Sequence, residues 1–150
     1  MNDAQQLLGP VIALVVWSQV MWLWMYATRI PAMLAAKMKP DPYAPRGEQM
    51  SLLPPSVRWK ADNFNHLMEQ PTVFYAIVLA LALLGPEGDT ALILAWSYVA
   101  LRVVHSLLQA LINKIELRFL LFVLSNIPLI ELIYESVVKI KKKMSPWNRF

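Results

Sequence analysis

Four long apolar runs, at about residues 7–36, 58–84, 90–113 and 116–138, leave this chain of 150 residues little choice of architecture. Each is long enough to cross a hydrocarbon core that takes roughly 20 helical residues. Lipid supplies no hydrogen bonds to backbone groups, so such runs must satisfy their own as helices. Composition agrees: 57% of residues are hydrophobic and 16% charged, well below the roughly 25% of an ordinary soluble domain. The expected fold is all-α, an integral membrane four-helix bundle in one domain over 1–150, with no room for a separate catalytic module.

What interrupts the runs carries the functional information. The first holds Pro10 near its start, Trp17, Trp22, Trp24 and Tyr26 in its middle, then Arg29 and Pro31. Lys37 to Val57, with prolines at 40, 42, 45, 54 and 55, reads as an extended non-helical loop that covers something, Leu52 and Leu53 dipping back to the interface. The second run starts polar, RWKADNFNHLMEQ, and its Arg58, Asp62, Asn65 and Glu69 recur at helical spacing on one face. Arg58 and Asp62 read as a solvated helix end whose charges pair, and Glu69 as a buried partner of Arg102. Gly85 to Asp89 is a tight turn; Pro128 marks a kink in the fourth run, and Glu131 and Glu135 read as a water-facing interfacial pair. Lys139, Lys141, Lys142, Lys143, Trp147 and Arg149 form an interfacial anchor.

The third run, AWSYVALRVVHSLLQALINKIELRFLLFVLS, places Arg102, His105, Gln109, Asn113 and Glu116 at steps of three and four, on one face of a single helix, and Arg118 opens the next run. A guanidinium keeps its proton and costs about 2.5–3.5 kcal/mol at the bilayer centre, so such residues mark functional sites. His105 reads as an interhelical hydrogen bond, and Met21, Met25 and Met33 as packing. With no cysteine there is neither disulfide nor thiolate chemistry, and two histidines are too few for a metal site. The net charge of +4 is explained by basic loops flanking membrane helices rather than by nucleic-acid binding. Lys37, Lys39, Arg46, Arg58, Lys60, Lys114 and Arg118 put the first and third loops in the cytoplasm. Met1–Gln6, with Asp3 and no basic residue, lacks the n-region of a signal peptide.

The segments NHLMEQPTVFY and AWSYVALRVVHSLLQALINKIELRFLLF resemble the membrane-associated proteins in eicosanoid and glutathione metabolism, the MAPEG family, in a bacterial-type form of the inner membrane. The spacing of Arg102, His105 and Arg118 is the specific part of the likeness. It implies a homotrimer of four-helix protomers, with glutathione bound between neighbours near the cytoplasmic side. It further implies that Arg118 stabilises the glutathione thiolate, that Arg29 meets its carboxylates, and that Glu69 and Arg102 link two helices and contact the tripeptide. His105, Asn65 and His66, and Gln109 fall at the remaining ligand positions. The pattern departs at Gln109 and Phe122, where family enzymes often carry tyrosines, and at His66, where an asparagine is common. The implied activity is a glutathione-dependent transferase or peroxidase acting on lipophilic electrophiles drawn from the bilayer. The alternative is a non-catalytic trimeric scaffold or accessory subunit holding a lipid or other anion between protomers, which the two missing tyrosines favour. A channel or transporter fits less well, since no discontinuous helix pair is evident.

Overall fold

A computed structural model describes residues 3–45, 47–86 and 88–144. Arg46, Glu87, Trp147 and Arg149, used in the loop, turn and tail readings, lie outside the described residues. The elements are α1 (Asp3–Gln6), α2 (Leu8–Ala35), α3 (Glu48–Ser51), α4 (Pro55–Glu69), α5 (Pro71–Leu84), α6 (Thr90–Leu111) and α7 (Ile115–Met144). Grouped by apolar length they give four candidate membrane spans, Asp3–Ala35, Pro55–Leu84, Thr90–Leu111 and Ile115–Met144. The expected four-helix membrane bundle is the observed fold.

Prolines set the breaks. Pro10 and Pro71 have no N–H to give the carbonyls four residues earlier, and the regular ladder lapses just before each, at Leu7 and at Gln70. At Gln70 the dihedrals stay helical (φ −68°, ψ −38°), so the second span continues across the lapse from α4 into α5. In contrast, α2 runs through Pro31 and α7 through Pro128 without interruption. The third helix is shorter than its periodicity suggests. Asn113 adopts a left-handed conformation (φ 54°) and its N–H bonds back to the Leu108 carbonyl at 2.7 Å, capping α6. Asn113 and Glu116 are thus off the helix that carries Arg102, His105 and Gln109, which corrects the single-face reading.

The fourth helix is longer than expected, because Lys139, Lys141, Lys142 and Lys143 continue it. Its 30 residues extend about 45 Å, more than the roughly 30 Å of hydrocarbon, and the lysines lie at its C-terminal end. There Lys139 donates to the Gly85 carbonyl at 2.7 Å and lies 3.8 Å from Glu135, while Glu131 is exposed. The turn at 85–89 needs its glycines: Gly85 and Gly88 both hold positive φ, 79° and 71°.

The first loop is not wholly extended. Gly47, at φ 87°, starts the four-residue α3, and Gln49 ties it down by donating to the Lys39 carbonyl and accepting from the Asp41 N–H. Leu53 turns inward and is buried, whereas Leu52 faces out. Beneath, the core follows bundle spacing: Leu7, Leu14 and Met21 of the first span meet Phe74, Val78 and Leu81 of α5 and Ala91, Ala95 and Tyr98 of α6, with Leu129 and Leu132 of α7 completing it. Phe74 stacks on Tyr98 with ring centroids 4.4 Å apart.

Candidate functional site

Helix α4 presents polar side chains on two faces. One face packs on α6 and α7. There Asn63 donates to the Ser106 hydroxyl at 2.7 Å, and Gln70, just past the helix end, donates to Asn126 of α7 at 2.7 Å while accepting from Tyr98 at 3.4 Å. These bonds lock the break at Pro71 against both neighbours. Between them lies Arg102, fully buried. Its Nη1 bonds the His66 Nε2 at 3.2 Å and its Nη2 donates to the His66 carbonyl at 3.3 Å. A guanidinium only donates, so Nε2 offers a lone pair and the ring proton sits on Nδ1. The His66 ring stacks on His105 (centroids 5.0 Å, 29° between planes) and tilts against Phe122 at 5.7 Å.

This arrangement corrects two expectations. Glu69 is exposed and is no partner of Arg102 within the chain; the guanidinium is instead taken by the ring and carbonyl of His66. His105 meets its neighbour helix by ring stacking, not by a hydrogen bond.

Near the short connection between α6 and α7, Arg118 donates to Asn113. Gln109 is buried with its Oε1 unpartnered. Phe122 stands one helical turn after Arg118, its ring on His66. The second face of α4 looks the other way. Arg58, Asp62 and Asn65 line a cavity of about 320 Å³ with Arg29 of α2 and the α3 segment. The residues singled out in the sequence thus divide within one chain: His66, Arg102 and His105 meet on one side of α4, with Arg118 one turn before the Phe122 that touches His66, and Arg29 and Asn65 line a cavity on another side.

One electrostatic feature unites the arginines. Arg29, Arg102 and Arg118 each bury an Nε with no hydrogen-bond partner, and none has a carboxylate within ion-pair distance among the described residues. The sequence pattern of the MAPEG family matches residues 7–138. The chain belongs to the MAPEG family. Among curated proteins and among solved structures, nothing matches it. MAPEG proteins include glutathione transferases and peroxidases as well as non-catalytic members, and the four apolar helices make this one an integral multi-pass membrane protein.

Sequence reasoning missed Asn63, Ser106, Gln70 and Asn126, the hydrogen-bonded pairs that hold this MAPEG bundle in register. Asn126 was visible as an amide inside FLLFVLSNIPL, where a lone polar group needs a partner. The partner's identity was not, because Gln70 lies 56 residues away in sequence.

Proposed function

We propose that the chain is a membrane-bound glutathione-dependent transferase or peroxidase that acts on lipophilic electrophiles and works as a homotrimer. The observation that carries this reading is that Arg29 and Arg118, in apolar helices and not fully buried, have no neutralising acid among the described residues. Uncompensated positive charge in a dry setting is costly, and an anionic ligand offsets it. Glutathione has two carboxylates, and its thiol (ordinary pKa about 8.5) needs a nearby cation to become a good nucleophile at neutral pH. Lowering that pKa by one unit takes about 1.4 kcal/mol, within reach of one partly buried guanidinium.

Roles divide by access. Arg118, half-buried and held by Asn113, is the residue for the thiolate. Arg29 and Asn65 face the water-side cavity and suit the polar arms of the tripeptide. Arg102 is sealed in the helix seam, so it acts as a positioning residue by holding His66, whose Nδ1–H points away from it. His105 backs that ring, and Gln109 offers an unpartnered carbonyl oxygen. Glu69, exposed within the chain, is available to a neighbouring protomer. The electrophile reaches the site laterally from the bilayer, and the protein brings it beside the sulfur.

A second reading, a non-catalytic scaffold holding a lipid or other anion at the protomer interface, draws on Phe122: the ring on His66 carries no hydroxyl to donate to a thiolate. Calorimetry with glutathione and the ultraviolet absorbance of bound thiolate, on the purified assembly, separate the two. The enzyme reading expects saturable binding and a thiolate band; neither signal would leave the scaffold.

The proposed topology has the first and third loops in the cytoplasm of the bacterial inner membrane. The absence of native cysteine makes this directly testable. With an impermeant maleimide on intact cells, Asp89→Cys should label and Tyr43→Cys should be protected; the reverse pattern inverts the orientation.

A further inference from the structure

At the other end of the bundle, a cavity of about 370 Å³ lies between the first turns of α6 and the C-terminal half of α7. Thr90 and Leu94 line it from α6, and Glu131, Tyr134, Lys139 and Lys142 from α7. The 22 residues of α6 extend about 33 Å, so this cavity stands roughly that far from the connection that holds Arg118. Its charges balance, with Glu131 and Glu135 against Lys139 and Lys142. They are not used up on one another. Lys139 lies 3.8 Å from Glu135 and donates to the Gly85 carbonyl at 2.7 Å, whereas Glu131 has no ion pair or hydrogen bond among the described residues. The residues three and four away from Glu131 are Ile127, Pro128, Tyr134 and Glu135, so its own helix offers it no cation. An apolar strip ends at the same place. Val123, Ile127, Ile130 and Tyr134 recur at steps of four, three and four on one face of α7, and all four are exposed.

We infer that this cavity holds the head group of a phosphatidylethanolamine molecule, its primary ammonium on Glu131 and its phosphate on Lys139 and Lys142, with an acyl chain along the strip that ends at Tyr134. A lining of two acids and two lysines suits a head group that carries one charge of each sign, and it disfavours a purely anionic one. A quaternary ammonium has no N–H to give a carboxylate, so phosphatidylcholine lacks the charge-assisted bond that ethanolamine forms. Lys139 has three N–H donors and keeps others after bonding the Gly85 carbonyl. Tyr134 puts a phenol between the strip and the charged groups, the usual station of tyrosine at a membrane surface. The lipid would join α6 to α7 beside the turn that Lys139 already holds. This site is independent of the glutathione chemistry proposed above.

The test is native mass spectrometry of the intact, delipidated assembly, titrated in detergent with phosphatidylethanolamine, phosphatidylcholine and phosphatidylglycerol of matched acyl chains. Wild type should bind phosphatidylethanolamine about tenfold more tightly than either of the others, the worth of one charge-assisted hydrogen bond. Glu131→Gln should erase that preference by weakening phosphatidylethanolamine, and Lys142→Gln should weaken all three lipids through the phosphate they share. Equal binding of the three by wild type, a preference that survives Glu131→Gln, or no loss in Lys142→Gln overturns the site. Glu131 and Lys142 are both exposed, so these conservative changes test recognition rather than folding.

Discussion

Arg118→Ala should lower conjugation by about 10²–10³-fold, the loss typical when one donor to a developing anion is removed from a dry site. The reason is specific to its setting. Arg118 sits in the first turn of α7, tethered by Asn113, and it has no acid to satisfy, so its charge is free to favour a thiolate. Because Arg118 is half-buried and its partner lies in the adjacent connection, its removal breaks no bond between distant helices. The assembly should therefore keep its size and thermal stability. The check is turnover with a lipophilic electrophile, thiolate absorbance and size by light scattering on the same preparation. Loss of assembly together with loss of turnover would make Arg118 a structural residue. Retained turnover would remove it from the chemistry.

Arg102 should behave in the opposite way. It is among the largest side chains fully buried in the chain, so Arg102→Ala leaves a hole and should destabilise the bundle by about 3 kcal/mol, within the range of large-to-small core changes. Arg102→Met fills most of that volume without the charge. Replacing buried charge by a well-packed apolar group is often neutral or stabilising by roughly 1–4 kcal/mol. Against this, His66 Nε2 loses its donor, at about 1–3 kcal/mol. The two offset, and Arg102→Met should unfold close to wild type. Its catalytic defect, about tenfold in kcat/KM, would come from a His66 ring no longer held in one orientation. Thermal unfolding and kinetics of both variants decide the point. If Arg102→Met is as unstable as Arg102→Ala, the guanidinium serves as a structural cross-link between α4 and α6, and its positioning role falls away.

Together the two substitutions separate charge that acts on a ligand from charge that arranges the protein. The same separation runs through α4. Its inner face bonds α6 through Asn63 and His66, whereas Arg58 and Asp62 on its outer face line a cavity and have no partner among the described residues.

Much of this was legible in the chain. Apolar length determined the four spans, since a helix is the only solution for a run of that length in lipid. The arginines announced the site by their cost, and the pattern from NHLMEQ to Arg118 carried the family. Periodicity alone could not show where a helix stops. The left-handed Asn113 and the missing N–H of Pro71 are local events that a 3.6-residue repeat runs straight through. Nor could it choose partners. The sequence offered Glu69 as the partner of Arg102, and the folded chain brings His66 against it instead. Composition and spacing thus settle which residues must be compensated; the turn of each helix about its axis, which only tertiary packing fixes, settles by what.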